Sequence, residues 1–170
     1  MKQSLALLLL LAACKEEIAE MPLPVAMTDD ALGYFCMMEL AGMEGPKAQI
    51  HLKGMPDPIF FGQVRDGVAY LKEPETPLEI TAFYVTDLSA APSWENPGEI
   101  NWVTASDAFF VVGANVTGGM GAPELAPFAT RSDALAFAAK HGGEVVTLIE
   151  VPDTAVLGSI EAAVLKGDNG

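Results

Sequence analysis

The hydrophobic and polar positions fall into short runs whose period changes along the chain. Ala48-Gln49-Ile50-His51-Leu52-Lys53 alternates apolar and polar side chains, the two-residue period of a half-buried strand. Gly54-Met55-Pro56-Asp57 interrupts it as a turn, and Ile59-Phe60-Phe61 predicts a shorter second strand. From Gln63 to Lys72 the apolar Val64, Val68 and Leu71 stand at helical spacing, and Pro74 stops the helix. Glu79 to Thr86 is again rich in β-formers. The second half repeats this order. A strand is predicted within Asp107 to Val112 and a short one at Ala126 to Thr130. A helix follows over Asp133 to His141, capped by Thr130 or Ser132 and ended by Gly142-Gly143, and a closing strand covers Glu144 to Ile149. Asp66-Gly67-Val68-Ala69-Tyr70 is echoed by Asp133-Ala134-Leu135-Ala136-Phe137. The pattern predicts an α/β (α+β) fold, two similar ββαβ units packed as one compact domain over residues 33–165, with units at about 33–88 and 99–151. Ser89 to Gly98, with Pro92, Pro97 and Trp94-Glu95-Asn96, reads as a surface loop between them.

The ends follow other rules. Residues 1–13 carry a basic Lys2 and an apolar run from Leu5 to Ala13. That run is shorter than the ~20 apolar residues a bilayer span needs, and it has the layout of a secretory signal peptide. Leu11-Ala12-Ala13-Cys14 resembles the bacterial lipobox, which implies that Cys14 is lipidated and becomes the mature N-terminus. Lys15 stands where an inner-membrane retention signal would place Asp, so outer-membrane sorting is expected. Residues 14–32, with Pro22, Pro24 and Asp29-Asp30 and no sustained period, read as a lipidated tether. Residues 166–170 read as a polar, frayed tail.

Charge narrows the function. The formal net charge of the 170-residue chain is -14, which disfavours nucleic acid, since phosphate binding needs Lys and Arg. An acidic surface attracts cations and basic partners and repels anionic headgroups. The carboxylates Asp57, Asp66 and Asp87 are scattered and do not follow a calcium-loop pattern.

With Cys14 consumed by lipid, Cys36 is the remaining thiol, and it sits in Phe35-Cys36-Met37-Met38. An exported compartment is oxidising, so an orphan thiol there needs burial, an intermolecular disulfide or a metal. Thiolate and thioether ligands select Cu(I) over harder cations. If the stretch is extended, Cys36 and Met38 project to one side, roughly 7 Å apart along the backbone, while Met37 points away. The competing reading makes Cys36 a small buried hydrophobe and the methionines gap-fillers. Met120, amid Val116-Thr117-Gly118-Gly119-Met120-Gly121-Ala122-Pro123, is either a third soft ligand or a plug closing the loop. His51 shares the polar side of its strand with Gln49 and Lys53 and is expected to be solvated. His141 stands at a helix end, where a partly charged imidazole suits the dipole.

Cys36-x-Met38, then Gly45-Pro46-Lys47-Ala48-Gln49-Ile50, then Met120 ahead of Glu124-Leu125-Ala126-Pro127-Phe128, resembles the nitrous-oxide reductase accessory protein NosL family over nearly the whole mature chain. The resemblance implies a membrane-anchored Cu(I) metallochaperone of the periplasm, not an enzyme. Its partners would be the copper donor and acceptor proteins that assemble the copper centres of nitrous-oxide reductase. The family's ligands carry over to Cys36, Met38 and Met120. Met37 stands where Gly is common and Met43 where His is expected, so both add sulfur and are substitutes within the ligand set. The fold also resembles the organomercurial lyase core, whose chemistry needs paired cysteines. Two other classes remain: a lipoprotein scaffold without metal, and a thiol enzyme, for which the nearby segment offers only Glu39 and Glu44 as bases.

Overall fold

The structure is a computed structural model and describes residues 21–75 and 78–158. The signal segment 1–13, the lipobox Cys14 and the tail 166–170 lie outside the described residues. Among the described residues no helix is long and apolar enough to cross a membrane.

The first unit is β1 (Ala48–Leu52), β2 (Ile59–Phe61), α1 (Val64–Lys72) and β3 (Ile80–Thr86), followed by β4 (Trp102–Thr104). The second is β5 (Phe109–Val112), β6 (Ala126–Phe128), α2 (Arg131–His141) and β7 (Glu144–Thr147). A 3-10 turn (Leu148–Glu150) and α3 (Asp153–Val156) follow. The sheets run β2-β1-β3-β4 and β6-β5-β7, antiparallel throughout. Each unit therefore places its first strand between its second and its last, and the predicted pair of ββαβ units is present. The helices also start in matching register, α1 at Val64 and α2 at Arg131, the same offset that separates Asp66 from Asp133.

Two cores share β5. Ala48, Ile50, Phe61, Phe83 and Val85 from the inner face of the first sheet pack with Val64 and Val68 of α1, and also with Phe110. Val111, one residue on and pointing the opposite way, joins Ala126, Phe128 and Ala134 under α2. A strand buried on both faces ties the units into one body. Thr130 supplies the α2 cap, its hydroxyl accepting from Asp133 N–H at 3.2 Å, and Gly142 ends the helix at φ 75°. His141 closes that helix by stacking on Phe137, ring centroids 4.4 Å apart.

The outer face of the first sheet departs from expectation. Alternation in β1 predicts one wet face, yet all five residues are buried, Gln49 and His51 included. The cover is the segment before β1. Met27, Ala31 and Leu40 form a third cluster with Cys36, Met43, Phe60 and Trp102. Residues 21–31, read from sequence as tether, lie along this face. Val25 N–H donates to Gln49 Oε1 (3.0 Å), Gln49 Nε2 to Val25 O (2.9 Å), and Tyr84 O–H to Pro22 O (2.7 Å). His51 is thus a satisfied interior residue. Its Nε2 lies 3.2 Å from Gln49 Oε1, its ring stands edge-on to Tyr84, and burial lowers its pKa.

Candidate metal centre

Gly33 to Met38 folds into a tight turn closed by Gly33 N–H on Met38 O (2.9 Å) and Met37 N–H on Gly33 O (2.8 Å). The Cys36-Met37-Met38 stretch is therefore not extended, and the two-residue projection expected from its sequence does not apply. Met37 takes φ 54°, the one non-glycine with positive φ among the described residues. A Cβ in that left-handed region crowds the following carbonyl, at roughly 1–2 kcal/mol. Met37 is 70 % exposed, and Met38 is also exposed.

Cys36 is half-buried and turns inward. Its Sγ lies so close over Gly33 that a Cβ there would come within 2.5 Å of it. Leu40 packs against Gly33 and Gly62 together, and Met43 Sδ lies 3.4 Å from where a Gly62 Cβ would stand. The thiol, Leu40 and the Met43 thioether consequently form one strip beside the edge strand β2, where Tyr34 N–H donates to Phe60 O at 2.7 Å.

The glycine loop comes to this strip from the second half of the chain. It is pinched by a Thr117–Pro123 bridge and by Gly118 N–H on Ala122 O (2.9 Å). Gly118 is wedged where no side chain fits: a Cβ would lie 2.3 Å from Gln63 Nε2 and 2.7 Å from Glu124 Oε2. On its other side Trp94 Nε1 donates to Thr117 O (3.1 Å), while Gly45 N–H donates to Trp94 O (2.8 Å). The next residue, Gly119, meets the turn that follows the Cys36 segment, its Cβ position 3.1 Å from Met43 Cβ and 3.0 Å from Glu44 O. Met120 therefore stands at the seam between the two sulfur-bearing segments and is 40 % exposed. The fold brings Cys36, Met43 and the Met120 loop to one side of the molecule.

Two buried ionisable side chains, invisible in the sequence pattern, organise that seam. Lys47 is fully buried and donates Nζ–H to the carbonyls of Met43 (2.9 Å), Glu44 (3.0 Å) and Gly45. Burial brings its pKa down to about 8, against the opposing pull of Glu124 and Glu44. Glu124 caps α1, where Gln63 makes no side-chain cap: its carboxyl oxygens accept Val64 N–H (3.1 Å), Arg65 N–H (3.0 Å) and Leu125 N–H (2.8 Å). Burial pushes Glu124 up to about 8, and these three donors pull the other way. By parity Lys47 reads as one more polar-face residue of the β1 run, and Glu124 reads as loop surface. Among the described residues no three His, Cys, Asp or Glu side chains cluster as a metal site, so the soft donors here are Cys36 and thioethers.

The NosL family model matches residues 24–156. The chain is 48% identical over 157 residues to the copper-binding lipoprotein NosL of Achromobacter cycloclastes, covering 92% of this chain and 81% of that one. It is 35% identical over 144 residues to the copper-binding lipoprotein NosL of Stutzerimonas stutzeri, covering 84% and 73%. The crystal structure of the copper chaperone NosL from Shewanella denitrificans superposes with a TM-score of 0.72 at 29% identity, covering 78% of this chain and 97% of that one.

Proposed function

Because this chain belongs to the NosL family, we propose that it is a copper carrier: a Cu(I) metallochaperone held at a periplasmic membrane surface, that of the outer membrane, by lipid on Cys14. It serves the donor and acceptor proteins that assemble the copper centres of nitrous-oxide reductase. The observation that supports this best is the seat of Gly119 on Met43, which sets the Met120 loop against the turn that follows the Cys36 segment. Soft donors from two distant stretches then converge on one surface.

In this reading Cys36 supplies the anionic sulfur, and Met38 and Met120 supply neutral thioethers, with Met37 and Met43 as substitutes. One thiolate with thioethers leaves a Cu(I) site uncharged overall, so the ion is held without a buried net charge. Thioethers are the weaker donors. An incoming thiolate or imidazole displaces one of them first, and copper passes through a mixed-ligand intermediate without ever being free. The exposure of Met38 and Met120 gives a partner that access. The work is transfer without turnover. Of the two carboxylates near Cys36, Glu39 and Glu44, both are exposed, and neither forms a hydrogen bond to the thiol among the described residues.

Competition for Cu(I) against a chromogenic chelator tests the assignment. One Cu(I) per chain is expected, and Cys36→Ser is expected to lose most of the affinity. Equal affinity in parent and Cys36→Ser would reject the site.

A further inference from the structure

We propose that the strap Met21 to Val25 rests on the bilayer that holds the Cys14 acyl chains, so that the molecule meets its membrane by a defined face; the proposal takes the lipid anchor from the reading above. The strap is a built surface element. Pro22 and Pro24 fix its backbone as an extended ribbon. The side-chain amide of Gln49 makes both bonds to Val25 that a neighbouring strand would make, at 3.0 and 2.9 Å. Tyr84 holds Pro22, and Met27 N–H donates to Glu99 O at 3.1 Å.

Clamped in this way, the ribbon turns alternate side chains outward. Met21, Leu23 and Val25 are exposed, Leu23 at 80 %, while Pro22 and Pro24 between them are half-buried. No ionisable side chain occurs from Met21 to Thr28, in a chain of formal net charge -14. The strap is thus an uncharged apolar stripe in an otherwise repulsive field, the kind of surface that tolerates a headgroup layer. Chain length chooses the occupant. Seven residue steps separate Cys14 from Met21 and eleven separate it from Val25, which keeps the near end of the stripe within about 25 Å of the anchored cysteine and its far end within about 40 Å, however the intervening chain runs. The bilayer is the one large apolar phase always within that reach.

The test uses the full-length lipidated protein in phosphatidylcholine vesicles whose acyl chains carry bromine, a short-range quencher of tryptophan. Leu23→Trp is compared with Ile149→Trp, a 92 % exposed position in the second unit, after subtraction of the parent emission from Trp94 and Trp102. Neither position is packed, so both variants fold as the parent does. The Leu23→Trp emission is expected to be blue-shifted and quenched about two-fold, with Ile149→Trp unaffected, as for an interfacially seated residue. Equal quenching of the two in protein that floats with the vesicles overturns the proposal and leaves the anchor intact. Protein that does not float overturns the anchor, and this proposal with it.

Discussion

Met37 shows how much one backbone angle decides. At φ 54° the turn that presents Cys36 uses a left-handed residue, a conformation glycine adopts without strain and methionine does not. Met37→Gly is expected to raise stability by about 0.5–1 kcal/mol, because relief of strain outweighs the entropy glycine adds to the unfolded chain. Chemical denaturation of the copper-free domain measures this. Unchanged Cu(I) affinity when Met37→Gly is added to Met120→Ala would remove Met37 from the substitute ligands. Met120 belongs to the opposite case, an exposed side chain on a firmly held loop. Met120→Ala is expected to weaken Cu(I) less than Cys36→Ser, since a neutral donor is lost and Met43 lies at the same seam. It should also reduce the protection that copper gives residues 33 to 46 against amide exchange. Identical protection with and without the Met120 thioether would make Met120 a packing residue.

At the scale of elements, period and punctuation were good guides wherever a segment was long enough to show a period. α1 and the predicted strands stand within a few residues of expectation, and Thr130, not Ser132, caps α2. β4 escaped notice because Trp102-Val103-Thr104 is too short to alternate, and α3 is a single turn. His51 and Gln49, expected on a wet face, and the buried Lys47 and Glu124 show what local pattern leaves out. Three of them meet a segment remote in sequence: the strap covers Gln49 and His51, and the Met120 loop carries Glu124 against α1, whereas Lys47 folds back on the carbonyls of the turn just before it. Local pattern holds no record of such a cover. The Glu124 cap has a measurable consequence. A carboxyl whose pKa is raised by folding, here from 4.5 to about 8, contributes stability that is complete below about 4.5 and is lost as pH rises through about 8. Gln cannot titrate. The stability advantage of the parent over Glu124→Gln should therefore be larger at pH 5 than above pH 8, read from urea midpoints at each pH. A gap that does not change with pH would mean the carboxyl is already ionised at pH 5, held so by its three N–H donors.

For the whole molecule, the two units are one body because Phe110 and Val111 face different cores from the same strand. Copper chemistry and attachment should then be separable, since the proposed ligands belong to this body and Cys14 precedes it. Cys14→Ala is expected to release the protein from membranes, or to block its processing, while Cu(I) affinity of the isolated domain is unaltered. Fractionation of cells expressing the variant decides it, and persistent membrane association would argue against lipid at Cys14.

The seam between Gly119 and Met43 also has a thermodynamic side. An ion held by Cys36 and Met120 together closes a covalent loop that includes β1 through β5, most of the first unit and the centre of the second. In an unfolded chain, closing a loop of that length costs about 4–5 kcal/mol of conformational entropy, so the ion acts there as a crosslink that only the native state accommodates without cost. Delivery of the cargo removes the crosslink. In the proposed carrier the empty form is then the less stable of the two, and thermal melting or protease susceptibility would report whether a given molecule holds copper.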